Sequence, residues 1–274
     1  MSISKITFIG GSNIAHNIIL GLIANGHDPT HLCVTNRSPD KLKFFREKYG
    51  IKTTQDNYEG ALDAGVIVFA VKPHQIKTVC EELKQIVLVS DTFFISVAVG
   101  VSTELLQKWL NKKVPIVRAM PNTPTSVRAG ATGLFATGAV NENQRNLAES
   151  IMRAVGLVIW VSSESQIDEV AALSGSGPAY VFYIMEALQA AGESLGLSRE
   201  TAELLTKQTV LGAARMALEA EQEVVQLRRF VTSPGGTTEQ AIAVLESGNL
   251  KELFKKALMA AVHRAEELSR SIDK

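Results

Sequence analysis

The sequence of 274 residues predicts an α/β fold in its first part and an all-helical fold in its second part. Between residues 6 and 161, short runs of β-branched and apolar residues alternate with segments of helical spacing. These strand-like runs are apolar throughout, which indicates a sheet covered on both faces and therefore parallel strands. Strand signals stop near residue 165, where Ala, Leu, Glu, Gln and Met begin to dominate. The pattern predicts a doubly wound, mostly parallel sheet of the Rossmann type, followed by a helical domain.

The strands and helices are predicted from apolar runs, helical spacing and turn residues. Five strands come first, at Ile6–Ile9, Leu32–Val34, Val66–Val71, Thr92–Val97 and Ile116–Met120. Helices are predicted between them, at Ile14–Asn25, Pro39–Tyr49, Gln75–Lys84 and Thr103–Leu110. Two more strands, Ala131–Ala136 and Leu157–Val161, flank a helix at about Glu142–Ala154. Four helices follow, at about Ser165–Leu195, Arg199–Glu221, Thr237–Ser247 and Leu250–Ser269. We therefore expect one domain at residues 1–164 and a second at residues 165–274.

The helical part carries more apolar surface than one thin layer of helices can bury. Ala202–Leu218, for example, is rich in Ala and Leu. A second copy of the chain would cover this surface. We therefore expect residues 165–274 to be an all-helical dimerisation domain of an obligate homodimer, or of a larger homo-oligomer. A self-contained helical bundle is the alternative.

Composition excludes several classes of protein. The chain has 28 Lys and Arg against 28 Asp and Glu, so it has no broad basic field and we expect no nucleic-acid partner. No apolar run approaches the roughly 18–20 residues that span a bilayer, so we expect no membrane partner. Two cysteines, Cys33 and Cys80, are too few for a disulfide scaffold or a structural zinc site. The five histidines have no metal-ligand spacing. We expect a cytoplasmic protein without a metal.

A glycine-rich turn follows the first strand and opens the first helix. It reads Gly10, Gly11, Ser12, Asn13, Ile14 and Ala15, at the place where a dinucleotide fingerprint of the form Gly-x-Gly-x-x-Gly/Ala occurs. Gly10 would make the tight turn, Ala15 would allow close packing, and the helix N-terminus would hold a pyrophosphate. Ser12 stands where the second glycine is usual, and its hydroxyl has the chemistry to donate to a phosphate oxygen. The first domain is therefore predicted to bind a dinucleotide; an ordinary glycine-rich turn is the alternative.

The end of the second strand indicates which dinucleotide binds. Sites that prefer NAD usually have an Asp or Glu there to bind the ribose 2′-hydroxyl. This chain has Asn36, Arg37 and Ser38, which suit an anionic 2′-phosphate. The sequence therefore predicts NADP(H), with NAD(H) as the alternative cofactor. The competing interpretation is a solvated Arg37 beside a helix cap.

Two further loops follow strands at their carboxyl ends, on the ligand side of such a sheet. Ala70, Val71, Lys72 and Pro73 close the strand that begins at Val66. Asn122 lies between two prolines in the loop after Ile116–Met120, and its loop would face the nicotinamide end. Both loops are predicted to contact the cofactor, and a stiff turn is the alternative for each.

Two clusters of small residues interrupt the helical part. Leu173–Tyr180 contains Ser174 and Gly175, and it brings backbone close to another group. Ser233–Thr238 precedes a helix, with capping-box spacing between Thr237 and Gln240. A glycine-rich loop that leads into a helix presents free N–H groups and suits an anion. A small carboxylate would lie there beside the Thr237 and Thr238 hydroxyls; an unoccupied helix cap is the alternative.

Taken together, these motifs resemble the pyrroline-5-carboxylate reductase family over nearly the whole chain. The resemblance rests on Phe8–Ala15, Ala70–Pro73, Asn122–Pro124, Leu173–Tyr180 and Ser233–Thr238. It implies a Rossmann domain, a helical domain that interlocks between subunits, an active site at the dimer interface, and NADPH or NADH as hydride donor. Ser12 in place of the usual glycine is the one clear departure.

The resemblance also implies roles for individual residues. Ser174 and Gly175 would lie near the substrate. Its carboxylate and ring nitrogen would be held by Ser233, Gly236, Thr237 and Thr238. Glu221 falls where the family has a substrate-side glutamate, and Asn57 where it has a cofactor-contacting asparagine. We assign Thr238 as the catalytic hydrogen-bond partner of the ring nitrogen.

The predicted reaction is the reduction of 1-pyrroline-5-carboxylate to L-proline, the last step of proline biosynthesis. Because the imine nitrogen can arrive protonated, hydride transfer requires orientation more than a perturbed acid. Two other functions stay open at this point. One is a β-hydroxyacid dehydrogenase-like oxidoreductase with Lys72 as the acid. The other is a non-catalytic NADP-binding regulator in which Ser12 marks a decayed site.

Overall fold

The computed structural model describes residues 5–89 and 92–272. In these residues eight strands form one sheet with the order β3-β2-β1-β4-β5-β6-β7-β8. The strands are β1 (Ile6–Ile9), β2 (Leu32–Thr35), β3 (Lys52–Thr54), β4 (Val66–Phe69), β5 (Phe93–Ser96), β6 (Ile116–Met120), β7 (Gly130–Ala136) and β8 (Gly156–Trp160).

Parallel pairing dominates the sheet, as the sequence predicts. Neighbouring strands from β3 to β6 are parallel, β7 runs antiparallel to β6, and β8 is again parallel to β7. In register, Ile9 at the end of β1 is opposite Thr35 of β2 and Phe69 of β4. The chain order reverses at β1, which has β2 on one side and β4 on the other. The carboxyl ends of these three strands therefore define the ligand-binding edge of a doubly wound sheet.

Six helices connect or follow the strands of the sheet, and six more complete the described chain. The first six are α1 (Asn13–Ala24), α2 (Pro39–Tyr49), α3 (Asn57–Ala61), α4 (Ile76–Val89), α5 (Thr103–Leu110) and α6 (Glu142–Arg153). The others are α7 (Gln166–Val170), α8 (Gly177–Ser194), α9 (Arg199–Glu219), α10 (Val224–Phe230), α11 (Thr237–Ser247) and α12 (Leu250–Ile272). None of the described helices is long and apolar enough to cross a membrane.

Both faces of the sheet are buried, which explains why its central strands are apolar at every position. In β4, Val66 and Val68 pack into the core on one face, while Ile67 and Phe69 pack into the core on the other. Adjacent residues of a strand point to opposite faces, so a strand covered on both sides cannot alternate apolar and polar residues. The Phe69 and Phe94 rings stack with their centroids 5.4 Å apart.

The two cysteines are free thiols inside this core. Cys33 lies in β2 and Cys80 in α4, and neither is in a disulfide. Burial raises the pKa of the Cys33 thiol and raises the pKa of the Cys80 thiol to about 12. Both thiols are therefore protonated at neutral pH.

Three elements were not predicted because each lacks the periodicity of a buried element. β3 is a short edge strand with a partly exposed, polar sequence. α3 has five residues, and its start is fixed by the Asp56 carboxylate, which accepts from two backbone N–H groups. α10 has seven residues, and its capping box between Glu223 and Gln226 was a signal that the sequence did offer.

The prediction of one helix over Ser165–Leu195 was wrong. The structure has α7, then one turn of π-helix at Ala171–Gly175, and then α8. The backbone N–H of Ser176 donates to the carbonyl of Ala171 at 2.8 Å, which is the wider i→i+5 bond of a π turn. Helical spacing alone does not reveal such a turn, because one inserted residue leaves the flanking segments helical; the small residues of Leu173–Tyr180 are the signal that marks its place.

The described residues divide into two compact units. One unit contains the residues up to Ser176 together with those from Ala260 onward, and the other contains Gly177–Met259. The helix α7 belongs to the first unit, where it packs on β6 and β7. The predicted domain boundary near residue 164 stays a prediction.

Candidate functional site: a dinucleotide cleft and a helix-capping loop

The turn after β1 requires glycine. Gly10 has a left-handed φ of +99°, and its N–H donates to the carbonyl of Thr35 at 3.0 Å. A Cβ at this position would lie 2.7 Å from Val71 Cγ1 and 2.8 Å from the carbonyl oxygen of Ala70. Both contacts are too short for a side chain. The ends of β1, β2 and β4 can therefore approach each other this closely only because residue 10 is glycine.

Ser12 is the N-cap of α1. Its backbone is extended, with φ −74° and ψ 168°, and its Oγ accepts from the N–H of Ala15 at 3.2 Å. The hydroxyl proton of Ser12 is therefore available to a ligand. The N–H groups of Asn13 and Ile14 lie in the first helical turn, where the chain supplies no intrahelical acceptor. This end of α1 can bind a pyrophosphate without the second glycine of the fingerprint.

A cleft of about 260 Å³ opens beside this turn. Its lining is Gly10, Gly11, Ser12, Thr35, Asn36, Arg37, Lys41, Asn57, Ala70, Val71, Lys72, Gln75 and Val79. Nine of the residues that we predict to contact the cofactor are among them. The predicted contacts that do not line it are Asn13, Ile14, Ala15, Ser38, Pro73 and Asn122.

Two of the cations that line the cleft, Arg37 and Lys41, lie on the segment that leads from β2 into α2. The Arg37 and Lys41 side chains are exposed, and neither forms an ion pair within the part of the chain that the structure describes. Asn36 fixes the loop before them, because its Oδ1 accepts from the N–H of Ser38 at 2.9 Å. Lys41 was not predicted, although it stands four residues after Arg37 in the first turns of α2. This pair can bind a 2′-phosphate by charge and hydrogen bonding.

Asn57 also lines the cleft, and its side chain is held by two hydrogen bonds. Its Oδ1 accepts from the Thr35 hydroxyl at 2.5 Å, and its Nδ2 donates to Glu82 Oε2 at 2.6 Å. Its orientation is therefore fixed before any ligand binds. One Nδ2 proton is left to offer to a ligand.

His16 follows the glycine turn closely in sequence but does not add a charge to it. Burial lowers the pKa of His16, and the nearby Lys48 ammonium lowers it further. Its Nε2 is 2.8 Å from the Tyr49 hydroxyl, and Phe44 and Phe45 pack edge-on against its ring. The neutral imidazole is thus part of the contact between α1 and α2.

Asn122, Ser174 and Gly175 do not line the cleft, and Asn122 contacts Ser174 directly. The Asn122 side chain is buried; its Nδ2 donates to the carbonyl of Ser174 at 2.9 Å, and its Oδ1 accepts from the N–H of Ala131 at 2.9 Å. A Cβ on Gly175 would lie 2.8 Å from Met120 Cε. In this structure Asn122 therefore contacts the π turn.

The loop before α11 is built differently from the predicted capping box. The N-cap is Gly236, not Thr237, because the helix already begins at Thr237. The N–H of Gly236 donates to the carbonyl of Ser233 at 3.0 Å, and the N–H of Gly235 donates to Glu239 Oε2 at 2.7 Å. Since Gly236 has no side chain to cap the helix, the N–H groups of Thr237 and Thr238 are presented outward.

The predicted substrate-side residues of the second unit are all accessible to a ligand. Ser233, Thr237 and Thr238 are exposed, and Gly236 is half-buried. Glu221 is exposed in the turn between α9 and α10. This loop can bind a small anion through backbone N–H groups and hydroxyls.

Comparisons with known proteins agree with this geometry. A profile described as pyrroline-5-carboxylate reductase dimerisation matches residues 164–268, and one described as NADP oxidoreductase, coenzyme F420-dependent, matches residues 5–100. The pyrroline-5-carboxylate reductase of Pseudomonas aeruginosa is 43% identical over 272 residues, which are 99% of each chain. A solved structure of this reductase from Coxiella burnetii is 74% identical, with a TM-score of 0.94 over 97% of this chain and 98% of that one. The Plasmodium falciparum pyrroline carboxylate reductase, solved with NADP bound, is 28% identical, with a TM-score of 0.85 over 98% of this chain and 99% of that one.

The sheet, the glycine turn and the paired cations define an NADP-dependent oxidoreductase with a Rossmann-like domain and a helical domain that supports homo-oligomerisation. The chain belongs to the pyrroline-5-carboxylate reductase family. The family resemblance, the fold class and the NADP cofactor that the sequence predicts are thus confirmed. The hydroxyacid dehydrogenase and the non-catalytic regulator are not favoured.

Proposed function

We propose that the chain reduces 1-pyrroline-5-carboxylate to L-proline with NADPH. The observation that carries this proposal is membership of a reductase family together with an intact dinucleotide cleft. Gly10 allows the turn after β1 to pack against Ala70 and Val71 at the cleft, and α1 presents its N-terminus there. When bound, NADPH supplies the hydride. The chain's own residues then bind and orient the two reactants.

The cleft residues favour NADPH over NADH on electrostatic grounds. A 2′-phosphate placed between Arg37 and Lys41 meets two cations with no acidic partner in the described chain to compete for them. The ribose 2′-hydroxyl of NADH gains neither interaction.

Replacing Arg37 by alanine is expected to raise the Kd for NADPH by about tenfold, the loss of one charge-assisted hydrogen bond. The Kd for NADH is expected to stay unchanged, and added salt should shrink the difference between variant and wild type. Fluorescence titration of each cofactor measures both constants. Lys43→Ala is the matched control, because it removes a cation from α2 outside the cleft. Equal loss of both cofactors would show that Arg37 does not read the phosphate.

The substrate carboxylate is proposed to bind at the loop before α11. The outward N–H groups of Thr237 and Thr238 and the positive end of the helix suit a carboxylate. Ser233 and Gly236 complete this bend, and Glu221, Ser174 and Gly175 are proposed to lie on the substrate side. In this proposal the Thr238 hydroxyl hydrogen-bonds the ring nitrogen and orients the C=N bond. Hydride goes to the carbon of that bond, and the already protonated nitrogen becomes the amine of proline.

A homodimer is proposed as the working assembly. Phe182, Tyr183 and Leu204 are each more than half exposed on the helices of the second unit, and so are Leu211 and Phe230. Monomeric proteins seldom leave this much large apolar surface in water, and a second copy would cover it.

A cytoplasmic location is also proposed; it is supported by two cysteines that are both free.

The direct test follows NADPH oxidation at 340 nm with 1-pyrroline-5-carboxylate and is repeated with NADH. Turnover that produces proline supports the proposal. Oxidation of hydroxyacids by NADP+ without any reduction of pyrroline carboxylate would indicate the hydroxyacid dehydrogenase. Tight NADPH binding without turnover of either substrate would indicate the regulator.

A further inference from the structure

One face of β6 and of the loop after it supplies three side chains to the same neighbouring segment. Arg118 and Met120 are alternate residues of β6 and point to one side of the sheet, and Asn122 follows two positions later in the loop. Each contacts residues between Glu164 and Gly175. All of these residues belong to the first unit.

Arg118 anchors the beginning of this segment. Its side chain is only 5% exposed; Nη1 lies 3.3 Å from Glu164 Oε1, and Nη2 lies 2.8 Å from Asp168 Oδ1. Glu164 also accepts from the N–H and the hydroxyl of Thr103, at 2.7 and 2.6 Å, at the start of α5. The two carboxylates, one before α7 and one within it, are thus fixed to the sheet and to a second helix. The buried guanidinium is important for this arrangement, because its loss would leave two partly buried carboxylates without a compensating charge.

Asn122 and Met120 anchor the end of the segment. The Asn122 amide joins the carbonyl of Ser174 to the N–H of Ala131 in β7, as described above. The Met120 side chain fills the space beside Gly175, so a larger residue at 175 would displace it. The backbone of Ser174 and Gly175 is therefore fixed by Met120 at the end of β6 and by Asn122 in the loop that follows it.

The segment between the two anchors is an irregular piece of helix. The π turn is closed by the Ser176–Ala171 backbone bond and by the Ser174 hydroxyl, which donates to the carbonyl of Val170 at 3.0 Å. Single π turns within helices are rare and occur often at functional sites. A rare backbone shape persists only where its surroundings hold it.

We propose that Arg118 and Asn122 are positioning residues that hold the π turn Ala171–Gly175 in the shape that binds the substrate. This inference rests on the proposed function, in which Ser174 and Gly175 lie near the substrate. It assigns Asn122 to the substrate side of the reaction, whereas the sequence assigned it to the cofactor. Neither Arg118 nor Asn122 lines the dinucleotide cleft.

Asn122→Asp tests the proposal with the smallest change. The ionised aspartate keeps an acceptor for the Ala131 N–H but has no proton to donate to the Ser174 carbonyl, so the assays are run well above the pKa of a carboxyl group. We expect kcat/KM for pyrroline carboxylate to fall by about tenfold or more, with the Kd for NADPH unchanged. Amide hydrogen exchange at residues 171–176 should accelerate, which is a reading that does not depend on the reaction. Asn141→Asp is the matched control: it makes the same change at the N-cap of α6, where an aspartate caps equally well.

Arg118→Lys is the second variant. It keeps the buried positive charge but loses the pair of contacts that the guanidinium makes with Glu164 and Asp168. As in Asn122→Asp, kcat/KM for pyrroline carboxylate is expected to fall while the Kd for NADPH stays unchanged, but the fall should be smaller. A raised Kd for NADPH with normal exchange at 171–176 would overturn the proposal and return Asn122 to the cofactor. Wild-type kinetics and exchange in Asn122→Asp would also overturn it. An inactive wild type would refute the proposed function instead, and accelerated exchange in Asn122→Asp would still support the anchoring of the turn.

Discussion

Gly10→Ala is expected to reduce the affinity for NADPH by about 30-fold or more. The left-handed φ of +99° costs an alanine about 1–2 kcal/mol. The larger cost is the contact of 2.8 Å between the new Cβ and the carbonyl oxygen of Ala70, because this oxygen belongs to the backbone and cannot rotate away. The turn must shift, and it moves the first N–H groups of α1 away from the pyrophosphate. NADPH titration measures the loss of affinity, and the Tm of the free protein measures the cost of the strained turn.

Gly26→Ala is the control that separates the effect of a left-handed φ from the effect of a steric clash at the new Cβ. Gly26 also has a left-handed φ, +84°, but, apart from Gly26 and its two neighbours in the chain, no described residue has a heavy atom within 4 Å of the position that a Cβ would take there. This control is expected to lower the Tm by a few degrees at most, about 2–4 °C, and to bind NADPH normally. If both variants bound NADPH equally well, the close approach at Gly10 would have no part in cofactor binding.

Thr238→Ala is expected to lower the turnover number by about 10- to 100-fold, the usual effect of one positioned polar group. The Tm should not change, because Thr238 is exposed and the α11 N-cap is Gly236. The reason for the loss is orientation: without the hydroxyl, the ring nitrogen of the substrate has one fewer group to fix it. Steady-state kinetics with saturating NADPH give the turnover number and the KM.

Two further variants make this result specific. Thr238→Ser retains the hydroxyl and is expected to restore most of the turnover. Thr201→Ala removes a threonine from the first turn of α9, away from the proposed site, and is expected to have no effect. Normal turnover in Thr238→Ala would mean that the residue only begins a helix.

Local signals explain why most of the sheet and half of the site are predictable from sequence. The apolar runs of β1 and β4 and the glycine turn after β1 depend on residues that are neighbours in the chain. Arg37 and Lys72 were found because the carboxyl ends of parallel strands meet at one edge. The polar edge strand β3 and the short helix α3 carry no comparable pattern.

The remainder of the site depends on contacts between distant residues. Asn122 bonds to partners 9 and 52 positions away, at Ala131 and Ser174, which sequence spacing alone cannot predict; its contact with the cofactor stays a prediction. Lys41 lines the cleft because α2 begins at Pro39, two residues after Arg37. The capping-box spacing at Thr237 was misleading for a related reason: Gly236 takes the cap position, and the Glu239 carboxylate bonds to Gly235 instead.

The buried thiols have a practical consequence for handling the enzyme. Alkylating reagents and mild oxidants attack the thiolate, and Cys80 combines a pKa of about 12 with complete burial. The native protein should therefore be stable in air without a reducing agent. A maleimide should label Cys80 only when the core opens, so the labelling rate measures how often the protein unfolds around this residue.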